Sequence, residues 1–193
     1  MNTNNEIRKE EYDLIMLFSG GADSRLMLEL ALKNNKEPLC LLINYGQLHI
    51  QELEHAKKQL NDKKIQYFEI PVNIPVNSGL TGTGEKGIYN GVHDMNVPGR
   101  NSIFLTIAAS LAEFKGINEI WIGCDYSDRE HLFPDCYQEY IVKINELFKI
   151  AFSYEIIVRA PLLGMTKELI LETLKNIFGV NNEKEIFSGY GNL

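Results

Sequence analysis

The stretch that decides the fold is Asp13-Leu14-Ile15-Met16-Leu17-Phe18-Ser19-Gly20-Gly21-Ala22-Asp23-Ser24. Its first part is a short apolar run bounded by turn residues, so Asp13–Phe18 reads as a buried strand. The residues after it, Arg25–Lys33, read as a helix with Leu26, Leu28, Leu30 and Leu32 around its inner side. Between the two, a pair of glycines lets the backbone turn tightly and point its N–H groups at an anion. The helix that follows adds the positive end of its dipole. Ser19 and Ser24 offer hydroxyls, and Asp23 offers a carboxylate to orient the loop or hold a metal. The loop Ser19–Ser24 is therefore expected to hold an anion.

Working outward, further apolar runs read as strands at Leu39–Tyr45, Ile65–Ile70, Glu119–Gly123 and Glu155–Val158. Helical spacing falls at Leu48–Asn61, Ser102–Lys115, Asp135–Ile150 and Lys167–Phe178. This alternation predicts an α/β fold, a Rossmann-like parallel sheet with helices on both faces. One domain over residues 1–193 is expected, with a short C-terminal tail at 179–193. Pro71–Pro98 breaks the rhythm; a loop this long inside a compact domain is expected to be a mobile flap near the site.

Composition narrows the function. An apolar share of 45% with 23% charged residues excludes a disordered or fibrous chain. A net charge of −7 without a basic stripe argues against nucleic-acid and anionic-membrane partners. The longest apolar runs, Leu14–Phe18 and Leu39–Ile43, fall far short of the ~20 residues of a membrane span. The first twelve residues lack the apolar core of a signal peptide. Cys40, Cys124 and Cys136 are too few and too scattered for a disulfide framework, so a reducing cytoplasm is expected. The four histidines, His49, His55, His93 and His131, show no metal spacing.

Two cations stand out. Arg100 and Lys167 each open a predicted helix, where a positive charge is unfavourable by ~0.3–1 kcal/mol. Phosphate held between them and the Ser19–Ser24 loop would explain both placements. Gly82-Thr83-Gly84-Glu85-Lys86-Gly87 matches a dinucleotide fingerprint by letter but opens no apolar helix, so it reads as chance. No Walker loop occurs.

Ser19-Gly20-Gly21-Ala22-Asp23-Ser24 resembles the SGGxDS loop of the N-type ATP pyrophosphatases, enzymes that cleave ATP to AMP and pyrophosphate. Further blocks are similar to the 7-cyano-7-deazaguanine synthase (QueC) family. They are Asn44-Tyr45-Gly46-Gln47-Leu48-His49 with Glu52, Val97-Pro98-Gly99-Arg100-Asn101, Phe133-Pro134-Asp135-Cys136, and Ala160-Pro161-Leu162 with Thr166-Lys167-Glu168. They run in the family's order along most of the chain. The resemblance implies the adenine nucleotide alpha hydrolase-like fold, ATP and Mg²⁺, a homodimer, and a small-molecule substrate, 7-carboxy-7-deazaguanine. It implies ATP contacts from Ser19, Gly20, Gly21, Asp23, Ser24, Asn44, Arg100 and Lys167, with Asp23, Arg100 and Lys167 catalytic. Substrate contacts are expected from Tyr45, Gln47, Asn101, Asp125, Phe133 and Asp135. Within the acidic, aromatic segment Cys124–Tyr137, Asp135 can accept the N–H edge of a deazaguanine ring, and Tyr126 or Phe133 can stack on its face. The bland reading of that segment is a solvated acidic loop.

The chain also departs from the family. Ile186–Leu193 stands where the family begins a four-cysteine zinc site, with Gly189 at the first cysteine, so zinc is not expected. Leu48 and Tyr137 replace arginines, and Arg25 replaces a small hydroxyl residue. Three readings stay open. The first is the full nitrile synthase: adenylation of the carboxylate, attack by ammonia, then dehydration of the amide. The second is a QueC-like ligase that stops at the amide or passes the acyl group to another amine, such as a protein amine. The third is a non-catalytic nucleotide- or deazaguanine-binding partner subunit.

Overall fold

The computed structural model describes residues 12–47, 51–74, 97–126, 128 and 133–180. In chain order these form β1 (Leu14–Leu17), α1 (Ala22–Lys33), β2 (Pro38–Asn44), α2 (Gln51–Asp62) and β3 (Tyr67–Pro71). Then come α3 (Arg100–Lys115), β4 (Glu119–Trp121), a 3₁₀ turn (Pro134–Cys136), α4 (Gln138–Ala151), β5 (Ile157–Arg159) and α5 (Lys167–Phe178). The expected elements are all present, with shifted ends. α1 starts at Ala22, inside the glycine loop, so Asp23 and Ser24 belong to its first turn. α4 starts at Gln138 because Pro134 opens the separate 3₁₀ turn before it. The strand expected at Glu155–Val158 lies at Ile157–Arg159.

The five strands form one parallel sheet in the order β3-β2-β1-β4-β5. Strand alternation sorts the core into two layers. Leu14 and Met16 of β1 and Cys40 and Leu42 of β2 face α1, α2 and α5, meeting Leu26, Ala56, Leu60, Ile170 and Leu174. Ile15, Leu39, Leu41 and Ile120 face the opposite layer, where Leu105, Ala108 and Ala112 of α3 and Ile144 and Phe148 of α4 pack. Both central strands read as unbroken apolar runs because both of their faces are covered. Leu26 and Leu28 of α1 are fully buried, whereas Leu30 and Leu32 pack only partly against the core.

The chain runs outward from β1 through β3, then returns across the sheet by α3 to place β4 on the other side of β1. That reversal opens a crevice at the carboxyl ends of β1 and β4, where ligands of doubly wound sheets bind. Most of the expected flap, with the Gly82–Gly87 pattern, lies outside the described residues, as does the tail beyond Val180. The flap's described ends meet: Ile74 and Val97 are buried together against Tyr45, Val72 and Phe104. Among the described residues, no helix is long and apolar enough to cross a membrane.

Candidate active site

The Ser19–Ser24 turn is braced from inside and from behind. Ser24 is buried, and its hydroxyl accepts from Gly20 N at 3.0 Å and donates to Gly21 O at 3.0 Å. Ser24, expected from sequence to contact ATP, thus staples the turn from within. Ser19 is exposed; its hydroxyl accepts a long bond from Gly21 N (3.4 Å) and lies 3.3 Å from Ser24 Oγ. Gly20 has φ +85°, and a Cβ there would lie 2.9 Å from Ala56 Cβ of α2. Gln59 Nε2 of α2 donates to Gly20 O at 2.8 Å. Arg25 Nη1 in turn donates to Gln59 Oε1 at 3.3 Å, while Arg25 Nε pairs with Glu29 at 2.9 Å. Arg25, the family departure, thus faces α2 and not the crevice. Sequence reasoning missed Gln59 and Ala56; only the small side chain of Ala56 hinted at a close helix–loop approach.

No side chain caps the N-terminus of α1, so its first N–H groups and dipole face the crevice. Lys167, first residue of α5, reaches across to this point. Its Nζ lies 2.7 and 2.8 Å from the two oxygens of Asp23 and 3.5 Å from Asp125 Oδ2. Thr166 caps α5 by accepting from Leu169 N, which fixes where Lys167 begins. Gly123 lets the end of β4 approach: a Cβ there would lie 3.3 Å from Asp23 Cβ. Burial pushes the Asp23 carboxyl up to about 6 even though the Lys167 charge pulls the other way. Burial works against the Lys167 charge as well, yet the neighbouring carboxylates outweigh it and hold the ammonium above its ordinary range.

A second group sits at the start of α3. The Arg100 guanidinium lies over the rings of Tyr45 (5.6 Å) and Phe104 (5.9 Å) and donates to Tyr45 Oη at 3.3 Å. Gln47 Oε1 accepts from Tyr45 N, folding the residues after β2. Asn44, expected on ATP, directs its Nδ2 to Glu69 at 3.4 Å, and its Oδ1 accepts from Gly46 N. Asp135 Oδ2 accepts from Asn101 N at 3.2 Å, and Asp135 O accepts from Asn101 Nδ2 at 3.4 Å. Asp135, expected on the substrate, therefore supplies the negative charge that the N-terminus of α3 lacks behind Gly99. Phe133 precedes the 3₁₀ turn and packs partly into the α3–α4 layer.

The structure brings Asp23, Asp125 and Lys167 into one cluster, and Arg100, Tyr45, Asn101 and Asp135 into a neighbouring one. Asp128, which sequence reasoning did not single out, joins them. Burial raises its pKa, and its carboxylate lies in the fields of both Lys167 and Arg100. It also locks to Asp125 by reciprocal bonds, Asp125 N to Asp128 Oδ2 (2.9 Å) and Asp128 N to Asp125 Oδ1 (3.2 Å).

A glycine turn at an uncapped helix N-terminus, facing a lysine and paired acids at the switch point, defines an α/β protein with the adenine nucleotide alpha hydrolase type of fold. The solved NH₃-dependent NAD synthetase of Campylobacter jejuni shares this fold with a TM-score of 0.54 at 16% identity, over 94% of this chain and 70% of that one. The family model described as "Queuosine biosynthesis protein QueC" matches residues 13–191, and the chain belongs to that family. A 7-cyano-7-deazaguanine synthase of Rickettsia canadensis is 34% identical, over 83% of this chain and 77% of its own length. One from Myxococcus xanthus is also 34% identical, over 83% and 76%.

Proposed function

We propose that this chain activates the carboxylate of 7-carboxy-7-deazaguanine with ATP and supplies the acyl-adenylate to ammonia. The observation that carries this reading is Lys167 meeting Asp23 and Asp125 beside the open N-terminus of α1. In the first step a substrate carboxylate oxygen attacks the α-phosphorus of ATP. The new O–P bond replaces the bond to the bridging oxygen, and pyrophosphate leaves. The α1 N–H groups and the Ser19 hydroxyl hold the departing phosphates, and Lys167 and Arg100 offset their charge. Mg²⁺ suits this place, because it takes one or two carboxylates together with substrate phosphates. Asp23 and Asp125 would hold it, and when bound it offsets phosphate charge.

Ammonia then displaces AMP, and a second ATP adenylates the amide oxygen, which leaves with AMP as the nitrile forms. Asn101, Tyr45, Gln47, Phe133 and Asp125 form the substrate side, with Asp135 fixing Asn101. Leu48 and Tyr137, in place of family arginines, favour a second reading in which the reaction stops at the amide or uses another amine. We place the protein in the cytoplasm, where Cys40, Cys124 and Cys136 stay reduced. We propose a homodimer, with exposed Phe114, Leu147 and Ile150 as apolar surface for it.

Incubation with ATP, Mg²⁺, 7-carboxy-7-deazaguanine and ammonia, followed by mass spectrometry, tests the reading. AMP and pyrophosphate should appear with nitrile, or with amide under the second reading. Substrate-dependent ADP as the main product would overturn both.

A further inference from the structure

Behind the substrate wall lies a second constellation, on the layer of the sheet opposite Cys40. Cys124 follows β4, Asp128 lies four residues on, and Cys136 ends the 3₁₀ turn. One ligand atom from each, two Sγ and a carboxylate oxygen, lies within 4.8 Å of the others. Cys124 is fully buried and Cys136 nearly so. The twelve-residue separation of the cysteines matches no metal-knuckle spacing; the fold brings them together by closing the 3₁₀ turn onto the end of β4.

Two features orient these donors from outside. Asn101 Nδ2 donates to Cys136 Sγ at 3.4 Å, and Asp125 N holds Asp128 Oδ2 at 2.9 Å. Partners of this kind fix metal ligands in orientation and tune them. Two sulfurs and one carboxylate oxygen select a borderline-soft cation over Mg²⁺ or Ca²⁺. Zinc takes thiolates at ~2.3 Å and carboxylates at ~2.0–2.2 Å in a tetrahedron, which three converging donors can supply with a fourth position for water.

We propose that Cys124, Asp128 and Cys136 form a binding site for one thiophilic divalent cation of the zinc class. On binding, the two thiols lose their protons to solvent and form two metal–sulfur bonds, while Asp128 adds the third ligand. The cation ties the end of β4 to the turn that caps α3 through Asp135. It thereby fixes both ends of the segment that carries Asp125. The site uses no residue of the C-terminal tail, and through Asp128 it borders the Lys167 cluster.

The test uses the full chain, reduced and stripped with a chelator, titrated with Co²⁺ alone and then with Zn²⁺. One Co²⁺ per chain should bind with a thiolate-to-cobalt charge-transfer band, and Zn²⁺ should displace it. Cys124→Ser and Cys136→Ser should each weaken binding at least about a hundredfold. Asp128→Asn, which keeps both sulfurs, should weaken it about tenfold while preserving the band. Cys40→Ser should change neither stoichiometry nor band. Absence of the band in reduced, folded protein would overturn the site. So would unchanged Co²⁺ affinity in a folded Cys124→Ser or Asp128→Asn chain, or a Cys124–Cys136 disulfide that binds no Co²⁺ after reduction.

Discussion

Replacing Gly20 by alanine separates backbone strain from helix contact at the phosphate loop. An L-residue at φ +85° costs ~1–2 kcal/mol for its conformation alone. The added Cβ also meets Ala56 Cβ at 2.9 Å, Ala56 Cα at 3.0 Å and Ala56 N at 3.1 Å. Two of those atoms are α2 backbone and cannot rotate away, so overpacking adds ~1–3 kcal/mol. The expected loss is therefore about 2–5 kcal/mol, or an outward shift of the loop that breaks the Gln59–Gly20 bond. Two other glycines calibrate the figure. Gly46 has φ +79° with open space around it, so Gly46→Ala should show the conformational cost alone, ~1–2 kcal/mol. Gly164 has open space and no positive φ, so Gly164→Ala should be neutral or stabilising by ~0.4–1 kcal/mol. Urea denaturation gives the three stabilities, and calorimetry of ATP gives the loop's competence. Gly20→Ala should rank lowest and bind ATP at least about tenfold more weakly. Equal losses at Gly20 and Gly46 with unchanged ATP affinity would refute the brace.

Asp23 holds its proton more tightly when folded, about 6 against an ordinary 3.8, so its contribution to stability is greatest below pH ~4. That contribution is lost as pH rises toward and through about 6, and Asp23→Asn should remove this slope from pH-dependent denaturation curves; an unchanged slope would count against it. Lys167→Met should cut AMP formation by at least about a hundredfold, as loss of a preorganised charge does, while moving the melting temperature by only a few degrees. A variant with near-normal turnover would remove Lys167 from the site. Asp135→Asn should cost ~0.3–1 kcal/mol by removing the charge at the α3 N-terminus. It should also weaken deazaguanine binding through Asn101 with ATP affinity nearly unchanged, and equal substrate affinity would confine Asp135 to capping.

The fold was legible because β1 and β2 are apolar on both faces and the glycine turn sits squarely between β1 and α1. The starts of α3 and α5 were legible too, since Val97–Asn101 and Thr166–Glu168 carry turn and cap residues that end ambiguity. What stayed hidden depended on distant packing. Gln59 looks like any polar residue on a charged helix, yet it holds the carbonyl of Gly20, 39 positions away. Asp135 sits in an acidic, aromatic stretch that suggests a ring-binding edge. Only the approach of the 3₁₀ turn to Asn101 shows that its carboxylate serves α3. Arg25 looked like an intrusion beside the phosphate loop, and its burial against Glu29 and Gln59 turns it into part of the brace.

The charge balance of the crevice bears on how a triphosphate enters it. Around Lys167 stand Asp23 and Asp125, with Asp128 close enough to raise the Asp23 carboxyl further. One ammonium faces three acids, so a bare polyanion approaching the α1 N-terminus meets like charge at short range. Two unit charges 4 Å apart repel by ~4 kcal/mol at the dielectric of a protein surface. The helix dipole, worth about half a charge, does not offset that. Asp23 and Asp125, which Lys167 now neutralises, would hold a divalent cation that offsets it on the proposed reading. Lys167 would then turn toward the phosphates with Asp23 and Asp125 still compensated. Arg100 is held differently, since its guanidinium rests on the faces of Tyr45 and Phe104 and donates to Tyr45 Oη. The two cations thus differ in kind: Arg100 is held by aromatic faces and a phenol, Lys167 by carboxylates, so on the proposed reading it is Lys167 whose partners a metal-bound nucleotide would replace.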